Sequence, residues 1–285
     1  MNGKTVGCIG CGTMGGAVVK AIAASPLDVS LYVSSGHYSR AESFAESLSD
    51  LSSGGRAHSC EANLSVAENC DIIFIAVKPA FVKSVIAEIA PALVKPKVIV
   101  SMAAGITLAT LQGAAEVAVS ADERLVMPHL FRMMPNLPAI YGESMTALCA
   151  GKDCSQEETA QVRTLLETAG KVECVAEKLM DGVTAVSGSG PAYAFLFIEA
   201  LADAAVKFGI PRKQAYVYAA QTLKGAAVMA LQDGRSISEL KDAVCSPAGT
   251  TIEAVAALER GGFRGTIIDA ATAAYDKSVC LGKKG

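Results

Sequence analysis

Thr5-Val6-Gly7-Cys8-Ile9-Gly10-Cys11-Gly12-Thr13-Met14-Gly15-Gly16, running on into the helical stretch Ala17–Ala24, decides the fold. A short apolar strand reaches a G-x-G-x-x-G turn, and the turn opens a helix. In that setting the first glycine permits the tight turn. The second lets backbone approach a pyrophosphate, and the third lets the helix close on the sheet. The helix start adds unpaired N–H groups and the positive end of its dipole. Gly10, Cys11, Gly12, Thr13, Met14 and Gly15 are therefore candidate dinucleotide-binding residues.

Outward from this turn, short and nearly uncharged runs alternate with helical stretches. Strands are expected at Thr5–Ile9, Val29–Val33, Ile72–Val77, Val98–Met102, Leu130–Met134 and Val172–Val175. Helices are expected at Gly16–Ala24, Tyr38–Ser49, Phe81–Ala90 and Gln156–Ala169. Strands with so little polar alternation suit a parallel sheet covered on both faces. After Ala176 the alternation stops. Pro191 opens a helix that ends at Gly209-Ile210-Pro211, and a second runs from about Arg212 to Gln232. Ser236-x-x-Glu239 and Thr250-x-x-Glu253 both read as capping boxes. The helix after Thr250 stops at Gly261-Gly262, and a last one starts near Thr266. The fold class is α/β: a Rossmann-type parallel sheet over residues 1–176, then an all-helical unit over 177–285.

The segment Ala192–Ile198 is apolar on every helical face except at Tyr193. A helix without a polar face must be surrounded. Overall, 51% of residues are hydrophobic and only 19% charged, which favours burial between subunits over an isolated monomer. The uncharged runs 98–115 and 182–198 are interrupted by Gly, Ser, Thr or Pro, so neither reads as a membrane span. Lys and Arg number 25 against 28 acids, a net charge of −3, which leaves no basic excess for nucleic acid. Nine cysteines without framework spacing and no targeting segment point to the cytoplasm. Cys8-x-x-Cys11 falls inside the strand and turn, which speaks against a redox pair. His37, His58 and His129 lack metal-pair spacing, so no metal is expected.

Selectivity for NAD needs an acid near the end of the second strand, to accept from the ribose 2′-hydroxyl. Here Val33-Ser34-Ser35-Gly36-His37-Tyr38-Ser39-Arg40 carries none, and the first acid is Glu42. The Ser34 and Ser35 hydroxyls with Arg40 surround a 2′-phosphate without repulsion. NADPH is the expected cofactor, with NADH left open.

At Leu240-Lys241-Asp242-Ala243-Val244-Cys245-Ser246-Pro247-Ala248-Gly249-Thr250-Thr251-Ile252-Glu253-Ala254 the chain resembles the pyrroline-5-carboxylate reductases. The glycine turn, Ala76-Val77-Lys78-Pro79, Ala103-Ala104-Gly105, Met134–Pro138, Val183-Thr184, Ser187–Tyr193 and Gly261–Arg264 follow in the family's order. Ala248, where the family usually has Gly, and Cys245, where it has Thr or Ser, depart from the pattern. The resemblance implies reduction of 1-pyrroline-5-carboxylate to L-proline by NAD(P)H, the last step of proline biosynthesis. It also implies a homodimer, sometimes assembled as a pentamer of dimers (a decamer), in which the Ser246–Thr251 loop meets the partner's cofactor. It places Thr184 near the substrate nitrogen, as a group that orients the imine or relays a proton. Ser246, Gly249, Thr250 and Thr251 would receive the carboxylate, and Asn63 would lie at the adenosine ribose. Ala76, Val77, Lys78, Pro79, Ala103 and Ala104 would line the dinucleotide. Two alternatives are a non-catalytic NADP(H) sensor and a reductase of the β-hydroxyacid dehydrogenase type.

Overall fold

The computed structural model describes residues 3–49, 51 and 57–282. Among these, eight strands form one sheet: β1 (Lys4–Ile9), β2 (Val29–Ser34), β3 (Ala57–Ser59), β4 (Ile72–Ile75), β5 (Val98–Ser101), β6 (His129–Met134), β7 (Ser144–Ala150) and β8 (Gly170–Cys174). Their order is β3-β2-β1-β4-β5-β6-β7-β8. All neighbours are parallel except β6 and β7. The link from β6 to β7 is one short 3₁₀ turn, Leu137–Tyr141. A parallel return needs a crossover of about a dozen residues or more, so this link forces an antiparallel pair.

Helices α1 (Thr13–Ala23), α2 (Tyr38–Ser49), α3 (Asn63–Asn69), α4 (Val82–Ile89), α5 (Leu108–Val119) and α6 (Gln156–Glu167) cover the sheet. Successive strand residues point to opposite faces. Ile72 and Phe74 join Val18, Ile22, Val162 and Leu165 in one core, while Ile73 and Ile75 join Val82, Ile86 and Leu111 in the other. This two-sided burial is why the strands read as unbroken apolar runs.

The chain divides into two compact units, Met1–Gly188 with Ala274–Gly285, and Ser189–Ala273. The break thus differs from the expected one after Ala176. Residues 177–188 form a 3₁₀ turn (Glu177–Leu179), α7 (Met180–Val183) and a π-helical turn (Thr184–Gly188) tied to the sheet. Asn136 Nδ2 donates to the Ser187 carbonyl at 3.1 Å, and Ser187 Oγ donates to the Met145 carbonyl at 3.1 Å.

The second unit contains α8 (Gly190–Lys207), α9 (Arg212–Gln232), α10 (Ile237–Val244), α11 (Thr250–Arg260) and most of α12 (Phe263–Gly282). Helices α8 and α9 pack around Ala202, Ala215 and Ala219, small residues that allow close approach. Large apolar side chains such as Phe195 and Leu196 are exposed on this chain. Residues Glu177–Lys207 form a continuous helical run of 31 residues, long and apolar enough by length and composition to cross a membrane. Gly188 closes the π turn, Ser189 is the N-cap of α8, and Pro191 falls in the first turn of that helix, where proline is tolerated.

Candidate functional site

The glycine turn joins β1 to α1 at the point where β1 lies between β2 and β4. In open α/β sheets that crevice, beyond the carboxyl ends of the strands, is where ligands bind. Each glycine answers to a different constraint. Gly10 has φ +102°, and a Cβ there would stand 2.6 Å from the Ala76 carbonyl oxygen. A Cβ on Gly15 would stand 2.2 Å from the Gly10 carbonyl oxygen. On Gly12 it would meet nothing within 4 Å, so the middle of the turn is open for approach. Gly12 is also the N-cap of α1. No side chain caps that helix, and no acid lies in its first turn. The N–H groups of Thr13, Met14 and Gly15 are left to a ligand. Open backbone, uncapped donors and the absence of local negative charge fit a pyrophosphate.

The other expected cofactor residues gather along the same edge. Ser35 follows β2, Ala76 and Val77 follow β4, and Ala103 and Ala104 follow β5. Lys78 and Pro79 are exposed and open a short 3₁₀ turn. Ser34 is buried at 1% exposure, and its Oγ donates to Asn63 Oδ1 at 2.7 Å. Its hydroxyl is thus committed to holding Asn63. Burial pushes the Cys11 thiol up to about 12, and the Cys8 thiol is also raised well above its ordinary value, by burial first and then by neighbouring thiols. Both stay protonated near neutrality.

Thr184 opens the π turn, a distortion frequent at functional sites. Its Oγ1 donates to the Met180 carbonyl at 2.8 Å, so what it offers outward is lone pairs. Val183 beside it packs in one cluster with Ala104, Met134 and Met180. Asn136 is fully engaged: its Oδ1 accepts from Ser144 Oγ and the Met145 N–H, and its amide holds Ser187.

Two residues missed in the sequence reading organise this region. Arg132, at 3% exposure on β6, reaches Glu177 at 3.4 Å. The same carboxylate oxygen accepts from the Leu108 N–H at 2.6 Å, capping α5 directly after the Ala103–Gly105 loop. One acid therefore ties that loop to the helical run carrying Thr184. Arg132 was visible in the sequence as a lone cation in the apolar strand His129–Met134, but nothing local marked Glu177 as its partner.

Ser246, Gly249, Thr250 and Thr251 belong to the second unit. The expected box at Thr250 does not form. Gly249 is the N-cap of α11 and no side chain caps it, so Thr250 is the first helical residue and Glu253 stands one position too far along. Ala248 has φ +56°, the only positive φ at a non-glycine residue among those described. A Cβ on Gly249 would stand 2.2 Å from Ser246 Oγ. The result is a tight loop with two hydroxyls and an uncapped helix start, a receptor suited to an anion.

A dinucleotide-binding sheet joined to an all-helical unit defines the class: reductases that use a nicotinamide cofactor. Residues 177–281 match the family model described as pyrroline-5-carboxylate reductase dimerisation, and residues 5–105 match NADP oxidoreductase, coenzyme F420-dependent. The pyrroline-5-carboxylate reductase of Escherichia coli K12 is 40% identical over 284 residues, covering 98% of this chain and 99% of that protein. That of Methanosarcina acetivorans is 35% identical over the full length of both. Among solved structures, the Streptococcus pyogenes 1-pyrroline-5-carboxylate reductase aligns with TM-score 0.82 at 32% identity, over 98% of this chain and 100% of that one. The Plasmodium falciparum enzyme, with NADP bound, gives TM-score 0.80 at 30% identity over 98% of each. The chain belongs to the pyrroline-5-carboxylate reductase family. Residues 177–281, which include the apolar run 177–207 and the exposed Phe195 and Leu196, are the part that matches the family's dimerisation model.

Proposed function

We propose that this chain reduces 1-pyrroline-5-carboxylate to L-proline with NADPH, NADH being the weaker alternative. The observation that carries the reading is the pairing, in one chain of this family, of an uncapped glycine turn with an uncapped α11 start. One suits a pyrophosphate and the other a small carboxylate. Reduced nicotinamide, when bound, supplies the hydride. Gly10–Gly15 hold the pyrophosphate through backbone donors. Ala76–Pro79, Ala103 and Ala104 line the dinucleotide, with Ser35 and Asn63 at its adenosine end. The N–H groups of Thr250 and Thr251, with the Ser246 and Thr251 hydroxyls, hold the substrate carboxylate.

The imine protonated on nitrogen is an N–H donor. Thr184 Oγ1, its own proton given to Met180, accepts that bond and aligns the ring; it orients and does not donate. Activation by prior protonation of the substrate removes the need for a strong protein acid. The functional division we propose is 1–176 for the dinucleotide and 177–285 for dimerisation and substrate. An apolar groove of about 790 Å³, lined by Leu196, Phe197, Leu258, Phe263 and Ile267, favours a homodimer as the minimal assembly, extending to a pentamer of dimers. We place the enzyme in the cytoplasm, without nucleic-acid or membrane partners.

Loss of NADPH absorbance on adding pyrroline-5-carboxylate tests the reading. Tight NADPH binding without turnover would instead favour a sensor.

A further inference from the structure

The stretch Val33–Ala41, where NAD-selective enzymes carry their ribose-reading acid, has no carboxylate. The structure brings one to the neighbouring Asn63 amide from another element. Asn63, the first residue of α3, stands beside the end of β2, its Oδ1 accepting from Ser34 Oγ at 2.7 Å. Its Nδ2 donates to Glu88 Oε2 at 2.8 Å, and Glu88 comes from α4. Of the three groups, only the carboxylate has no choice of role. A hydroxyl pairs with either end of an amide, whereas an ionised carboxylate accepts only. Glu88 therefore decides which end of Asn63 faces Ser34.

We propose that Glu88 is the acidic discriminator of the adenosine ribose, a positioning residue acting through Asn63. It fixes the orientation of the amide and sets a negative charge beside the position where the ribose 2′ substituent is read. A 2′-hydroxyl is compatible with that arrangement, and a 2′-phosphate is opposed by it. The welcome that Ser35 and Arg40 give the phosphate is thereby held in check. This assignment rests on the NAD(P)H reading above. Glu88 is exposed, so replacing it leaves the core intact.

The test measures dissociation constants for NADPH and NADH by nicotinamide fluorescence, on the unaltered chain, Glu88→Gln, Asn63→Ala and the double variant. Glu88→Gln should shift the affinity ratio toward NADPH by about fivefold, the scale of a partly screened charge contact. A gain of NADPH affinity is not what structural damage produces. With Asn63→Ala already in place, the same substitution should leave the ratio nearly unmoved, because coupled residues do not add. An unchanged ratio in Glu88→Gln overturns the assignment, and so does an undiminished shift without Asn63. If the unaltered chain binds both dinucleotides, such a result removes Glu88 alone. If it binds neither, the NAD(P)H reading falls and takes this proposal with it.

Discussion

Helices α10 and α11 begin with the same letters, Ser or Thr followed three residues later by Glu, yet only one start is closed. At α10, Glu239 N–H donates to Ser236 Oγ at 3.3 Å, and Ser236 N–H donates to Glu239 Oε2 at 2.8 Å. Two of its donors are thereby consumed. At α11, directly after the left-handed Ala248, the N-cap falls one residue earlier than the motif expects, on Gly249. Thr250 then has helical backbone, and its side chain no longer faces the end of the helix. Glycine at an N-cap costs only about a few tenths of a kcal/mol relative to Ser or Asp. An open start is therefore inexpensive, and it leaves N–H groups for an external anion. A capping motif is a statement about backbone frame as much as about residue type.

The sharpest way to break this contrast is to close the open start. Gly249→Asp supplies the missing acceptor and a competing charge, and its Cβ drives Ser246 Oγ aside. The KM for pyrroline-5-carboxylate should rise about a hundredfold or more, the order expected when positioning is lost. NADPH affinity, measured by fluorescence, should stay put; parallel losses in both would remove α11 from the site. A smaller effect comes from deleting the hydroxyls. Ser246→Ala with Thr251→Ala should raise the same KM by on the order of tenfold per hydroxyl, since each loses a bond to a charged group. An unchanged KM would show the carboxylate is held elsewhere.

What the sequence disclosed follows the same division between local and framed information. The glycine turn and the two-sided strands were legible because their causes are local: three glycines at fixed spacing and runs such as Ile72–Ile75. Strand β7 was not, because Ser144-Met145-Thr146-Ala147-Leu148-Cys149-Ala150 is small and mixed, and its pairing with β6 supplies the reason for it to be extended. The Ser236 box was readable and the frame at Thr250 was not, since Ala248 gives no hint in sequence that it will turn left-handed. Asn63 could be placed only by resemblance. Glu88 and Glu177 meet their partners from 25 and 69 residues away, distances no local pattern spans.

The remaining predictions concern stability and should leave catalysis alone. Ser236→Ala opens the closed start and should cost about 1 kcal/mol of unfolding free energy, with the imine KM unmoved. A change in KM would mean that α10, too, touches the substrate. Ala248→Gly gives the smallest effect and the most informative sign. Holding alanine left-handed costs roughly 1–2 kcal/mol, while glycine adds about 0.5–1 kcal/mol of backbone entropy to the unfolded chain. The difference favours glycine by about 0.5 kcal/mol, read as a small rise in denaturation midpoint at unchanged slope. If the variant is instead less stable, the loop does not hold Ala248 left-handed in solution. The frame shift that keeps α11 open would then need another cause.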